Sequence, residues 1–174
     1  MTTIRIRNLN THASGYSYKA HNPHHNLFFK DWFAATSPFD YSLQMEIKRP
    51  LRVFKEQYRS SGSKRIGKAV VCLISYKQTV MLEMIQCNPR SKGIGGACLQ
   101  TISNLADKHQ ITMCLEASPP HGFYKRRQSS PGSAANRLRK FYEKFGFRVK
   151  KSPFQRRRSH GYFMVREPMI AITH

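Results

Sequence analysis

The sequence predicts a mixed α/β fold, a central mixed sheet flanked by helices, and three observations carry that prediction. A β-prone run, Val80 to Cys87, leads through a basic, glycine-rich turn into an amphipathic helical stretch beginning near Ile94. An apolar, β-branched run, Ile111 to Ala117, follows that helix, and a strand–helix–strand crossover implies parallel pairing of its two strands. Ile66 to Tyr76 and Thr79 to Cys87 flank Lys77-Gln78 and read as a tight hairpin in the same sheet.

With 174 residues, 40% of them hydrophobic, the chain is long enough for one core and short for two, so residues 1–174 are expected to form a single domain. Cys72, Cys87, Cys98 and Cys114 lie in apolar runs with no Cys-x-x-Cys pair, which favours packing thiols in a reducing cytosol over disulfides or a metal site. No apolar run approaches the roughly 18 residues of a membrane span, and no signal-like apolar region follows Met1, so a soluble, cytoplasmic protein is expected. Thirty Lys and Arg against nine Asp and Glu give a formal net charge of +21. Such a field draws polyanions at long range. A nucleic-acid or ribonucleoprotein partner is expected on that ground, with a merely soluble basic surface as the plain alternative.

Taken in order, residues 1–65 carry no motif. Thr2 to Asn8 alternates like a short strand, and His21, His24 and His25 stand in a polar segment with no Cys or carboxylate ligand close by, so no metal is expected. Leu27 to Phe33 is apolar enough for a short helix docked on the core. Pro50 suits the first turn of a helix over Leu51 to Arg59, ended by the Ser60 to Ser63 segment.

The strand from Val80 stops at Asn88-Pro89, and Arg90, Ser91, Lys92, Gly93, Ile94, Gly95 and Gly96 follow as a cradle for an anion. The first turn of a helix has unpaired N–H groups and the positive end of the dipole, and glycines let a phosphate come close to the backbone. Ile94, Ala97, Cys98, Thr101, Leu105 and Ala106 then form one apolar stripe. A Walker loop is absent. A dinucleotide fingerprint would need Gly or Ala where Cys98 stands, although Glu116 lies at the right distance for a ribose contact, so an NAD-binding reading remains as an alternative. What is left is Arg/Gln-x-x-Gly-x-Gly/Ala, matched by Arg90, Gly93 and Gly95.

After Ala117 comes a long loop in which Phe123 and Tyr124 stand beside Lys125, Arg126 and Arg127, a combination of stacking surface and charge that suits nucleic-acid contact as well as a solvated loop. A helix from about Ala134 to Phe145 places Leu138, Phe141, Tyr142 and Phe145 on one arc, with Gly146 at the left-handed position behind it and Phe147 folding back. By pattern alone Tyr142 is a core aromatic. Arg148 to Lys151 and Gly161 to Arg166 read as a closing pair of strands around a second basic turn containing Arg156, Arg157 and Arg158.

The Arg90-x-x-Gly93-x-Gly95 loop, and the later helix ending in Tyr142-Glu143-Lys144-Phe145-Gly146-Phe147, resemble in order and separation the GCN5-related N-acetyltransferase family. The resemblance covers residues 66–167 and leaves 1–65 as a variable part. It implies direct transfer of an acetyl group from acetyl-CoA to an amine, with the pantetheine arm on Ile85, Gln86 and Cys87 and the pyrophosphate on the cradle. It further implies that Asn136 contacts the arm, that Tyr142 protonates the departing thiolate, and that Glu83 serves as a base acting through water. His121 and His160 are rivals for that last role. The acceptor expected from the charge is an amine on RNA, aminoacyl-tRNA or a ribosome-associated protein. A DNA base, a protein lysine, or a nucleic-acid-binding module without transfer are the alternatives.

Overall fold

The computed structural model describes residues 22–39, 50–119, 131–151 and 161–169, without the side chains of 131 and 132. The expected strand at Thr2 to Asn8, His21, His121, His160 and the basic residues Lys125, Arg126, Arg127, Arg156, Arg157 and Arg158 lie outside the described residues. Among the described residues seven strands form one mixed sheet in the order β1-β2-β3-β4-β5-β7-β6. They are β1 (Ser37–Pro38), β2 (Leu51–Ser60), β3 (Ser63–Tyr76), β4 (Thr79–Asn88), β5 (Thr112–Ala117), β6 (Arg148–Val149) and β7 (Tyr162–Arg166). The helices α1 (Asn26–Ala34), α2 (Ile94–Lys108) and α3 (Pro131–Glu143) accompany them among the described residues.

The expected helix at Leu51 to Arg59 is a strand, β2, paired antiparallel with β3 over ten residues. Its pattern has period two, with Lys55, Gln57 and Arg59 exposed and Phe54, Glu56 and Tyr58 turned inward. Ser61 and Gly62 close the hairpin with φ values of 49° and 80°, the two positive values of a type I′ turn. Pro50 therefore precedes a strand, and the Ser-Gly segment that reads as a helix stop is a hairpin turn. The Lys77-Gln78 hairpin and the parallel pairing of β4 with β5 stand as expected.

The helices lie on one face of the sheet. Ala69, Val71 and Leu73 of β3, Val80 and Leu82 of β4 and Met113 and Leu115 of β5 meet Ile94, Cys98, Leu99 and Ile102 of α2 in a single core. Phe28, Phe29 and Trp32 make α1 the short docked helix expected at Leu27 to Phe33. His25, just before it, is a packed histidine: its Nδ1 lies 2.8 Å from Ser75 Oγ, and burial lowers its pKa. No group of three or more metal-ligating side chains occurs among the described residues. No described helix is long and apolar enough to cross a membrane. The four cysteines are free, with Cys72, Cys98 and Cys114 buried.

α3 ends as its sequence requires. Gly146 has φ 85°, its N–H reaches Glu143 O at 3.1 Å, and Phe147 turns back to be fully buried. The Gly146 turn is clamped from β7 by Arg166, which is 2% exposed. Arg166 donates Nε to Phe145 O at 2.8 Å and both terminal nitrogens to the Asp107 carboxylate, at 2.8 and 2.7 Å. One buried side chain thus joins the end of α2, the end of α3 and the last described strand.

Candidate active site

β4 and β5 pair only from Thr79↔Thr112 to Leu82↔Leu115. Beyond that point, among the described residues, β4 continues to Asn88 paired with β3 alone, while Glu116 and Ala117 of β5 pair with β7 alone. The cause is local. Leu82 faces Leu73 and Met84 faces Cys72, so Glu83 is an extra residue, a β-bulge that bends β4 and breaks the ladder. Among the described residues, the backbone of Glu83 to Asn88 presents an unpaired edge towards the separating β5.

The bulge also changes which residues face the helices. Val80 and Leu82 point to the core before it, and Ile85 and Cys87 pack against the core after it. Gln86 is exposed on the other face. Glu83 is exposed there too, where its Oε2 accepts a hydrogen bond from the Cys72 thiol at 3.4 Å.

The cradle stands at the open end of this wedge. Gly93 has φ 80° and is the residue before α2, and the Ala97 N–H is the first in the helix to reach a carbonyl, Gly93 O at 2.9 Å. The N–H groups of Ile94, Gly95 and Gly96 thus have no intrahelical partner. Arg90, Ser91 and Lys92 are exposed around them. Gly95 permits the close approach of α2 to β4, since a Cβ there would lie 3.0 Å from Cys87 Sγ and 3.8 Å from Phe141 Cζ.

Gly67 of β3 is a determinant that the motif reading missed. A Cβ at Gly67 would run into Ile94 Cδ1 and come within 3.2 Å of Pro89 Cδ. The signal was present, because a lone glycine inside a strand pattern marks a close approach. Gly67→Val is therefore expected to lower stability by about 1–3 kcal/mol through overpacking, measured by thermal unfolding, and to weaken any anion held at the start of α2 because Ile94 must move.

Tyr142 reaches the same place from α3. It is 7% exposed, stacks edge-on against Phe141 and Phe147, and its pKa is pushed up to about 12 by burial, with the neighbouring Cys87 adding to the shift. Burial likewise raises the Cys87 thiol, and the charge of Arg90 partly opposes that rise. The structure therefore brings Ile85, Cys87, Gly95 and Tyr142 together on the helix face and leaves Glu83 and Gln86 on the opposite face. Asn136 is exposed, and its Oδ1 accepts a hydrogen bond from Tyr162 OH at 3.0 Å. That pairing joins β7 to α3 and had no counterpart in the sequence reading.

In chemical terms the helix face combines the open first turn of α2, an unpaired strand edge and a buried phenol, and Glu83 sets a carboxyl group on the opposite face. No family model matches the chain, and no curated protein does. Among solved structures, the crystal structure of the anti-CRISPR protein AcrVA5 is similar at a TM-score of 0.41 and 16% identity, over 64% of this chain and 96% of that one, a loose likeness of architecture.

Proposed function

We propose that the protein is an acyltransferase that moves an acetyl group from acetyl-CoA to an amine on an anionic macromolecule. The observation that carries this reading is the Glu83 bulge, which separates two parallel strands directly in front of the first turn of α2. The separated strands leave an edge to which an extended pantetheine amide chain can add as a strand would. Arg90, Lys92 and the N–H groups of Gly95 and Gly96 then take the pyrophosphate.

Transfer is direct. The amine nitrogen attacks the thioester carbonyl carbon, the C–S bond breaks as the nitrogen loses its second proton to water, and the Tyr142 phenol gives its proton to the leaving sulfur and regains one from water. An amine near the lysine reference pKa of about 10.4 must first lose a proton, and Glu83 takes it through water. Tyr142 serves one face of the sheet and Glu83 the other, so the acceptor approaches from the face opposite the helices. Asn136, whose Nδ2 has no partner among the described residues, donates to the pantetheine arm.

Thermal unfolding with acetyl-CoA, CoA, NAD and ATP at matched concentration tests the reading, ATP being the charge control for so basic a chain. At 100 times its dissociation constant, acetyl-CoA is expected to add about 2.7 kcal/mol and to raise the midpoint by several degrees beyond ATP, with the gain surviving added salt. Equal shifts from all four ligands, abolished by salt, would leave a nucleic-acid-binding module without transfer, the reading that the +21 charge favours by itself. A preference for NAD would point to the dinucleotide alternative.

A further inference from the structure

The β2–β3 hairpin runs past the rest of the sheet. β1 reaches β2 only at Arg52 and Val53, and β4 pairs with β3 no further than Lys68. Among the described residues, the hairpin from Glu56↔Gly67 to Ser60↔Ser63 is therefore a two-stranded ribbon, about 16 Å long at roughly 3.3 Å per residue pair. On the face turned away from the helices Lys55 stands directly opposite Lys68, and Arg59 directly opposite Lys64. All four are exposed, and none forms an ion pair with a described residue. Arg65 adds a fifth cation on the other face, opposite Tyr58, and Glu56 is the one acid between positions 55 and 68.

This arrangement works against the fold. Like charges directly opposite one another destabilise a pair of strands, and a two-stranded ribbon has little stability to spare. Two such pairs on one face, Lys55 and Lys68 at the root of the ribbon and Arg59 and Lys64 within it, where opposed charges would have served the hairpin better, mark a surface shaped by something it binds. The face is also poor in apolar surface. Ile66, 67% exposed, lies opposite Gln57 between the two cation pairs. A specific protein partner needs a larger apolar centre ringed by polar groups, whereas cations flanking a single aliphatic side chain suit phosphodiesters.

We infer that this face of the β2–β3 ribbon binds the phosphate backbone of a nucleic acid. It is continuous with the candidate site. Lys68 pairs with Asn88, and the row Asn88, Gln86, Met84 on the same face leads along β4 to Glu83, about 13 Å of strand from Asn88 to Met84. A nucleic acid held on the ribbon is thus within reach of Glu83. Only this placement of the acceptor rests on the acyl-transfer reading. The binding itself does not.

The test compares two variants with equal charge removed: Lys55→Gln/Arg59→Gln/Lys64→Gln/Lys68→Gln on the ribbon, and Lys30→Gln/Lys140→Gln/Lys144→Gln/Lys150→Gln at exposed positions elsewhere. Binding of a fluorescein-labelled 20-base-pair DNA duplex and of a 20-nucleotide RNA is followed by anisotropy across a salt series, without acetyl-CoA. On the duplex the ribbon variant is expected to lose about 3 units of the slope of log K against log salt, and on the order of 100-fold in affinity near 0.1 M salt. The other variant is expected to lose less than about one unit. The ribbon variant's thermal midpoint at low salt is expected to hold or rise, since two repulsive pairs are gone. Equal losses in both variants would overturn the inference in favour of a diffuse field. Displacement of both probes by polyglutamate at matched charge would overturn it in favour of an acidic protein. Because no transfer is measured, failure of the acyl-transfer reading leaves this result standing, and the converse holds.

Discussion

Tyr142→Phe is expected to lower the rate of acetyl transfer by roughly 100-fold or more, within the range general acid catalysis supplies, while acetyl-CoA binding and the thermal midpoint stay as in the wild type. The substitution removes one oxygen and keeps the ring that packs on Phe141 and Phe147. Burial holds the phenol protonated, with its pKa pushed up to about 12. It also makes the phenol a weaker acid, which on its own would slow donation to a thiolate whose reference pKa is about 8.5. The same burial raises the Cys87 thiol beside it, so a thiolate released in that pocket gains basicity for the same reason and the match between donor and acceptor is kept. Single-turnover transfer to a small amine is the measurement to make. Undiminished transfer by the variant would remove Tyr142 from the chemistry, and loss of acetyl-CoA binding as well would make it a packing residue.

Asp107→Asn is expected to destabilise the protein by about 3 kcal/mol, because it leaves the Arg166 guanidinium buried without its counter-charge. For 174 residues that corresponds to a fall of roughly 6–12 °C in the midpoint. Burial alone would raise the Asp107 carboxyl, but the Arg166 hydrogen bonds, the Met169 N–H and the guanidinium charge outweigh it and hold the group below its ordinary value. A carboxyl depressed in the folded state contributes fully above its unfolded pKa, near 3.8, and loses that contribution as pH falls through the lower folded value. The gap in urea midpoint between wild type and Asp107→Asn should hold from pH 7 to about pH 4 and close below it. A gap undiminished near pH 2 would mean that the substitution acts by packing. Arg166→Met in the Asp107→Asn background should recover part of the loss, and only part, because Phe145 O also loses its donor.

The hairpin at Lys77-Gln78, the parallel pair β4 and β5, the helix α2 and the Gly146 stop of α3 were legible because each is written in neighbouring residues, through turn chemistry, period and capping, although the buried face of α2 also takes in Leu99 and Ile102, outside the stripe that was read. β2 was not legible. Leu51 to Arg59 carries apolar residues that fit either a helix or a strand, Pro50 tipped the reading to a helix, and ten pairings with β3 decided otherwise. The cradle could be read from Arg90, Gly93 and Gly95, but not the wedge behind it, since the Glu83 bulge exists only as a mismatch of register between two strands.

The sequence by itself determined the strand–cradle–helix unit, the excess of positive charge and the placing of Tyr142 on an apolar arc. Only the tertiary structure decided that Tyr142 meets Cys87, that Glu83 lies on the opposite face, that Asp107 and Arg166 close on each other across 59 residues, and that Lys55 and Arg59 face cations. The physical reason is the same throughout. Local preferences act through neighbouring residues along the chain, whereas register, desolvation and charge pairing depend on partners that the chain brings together only when it folds.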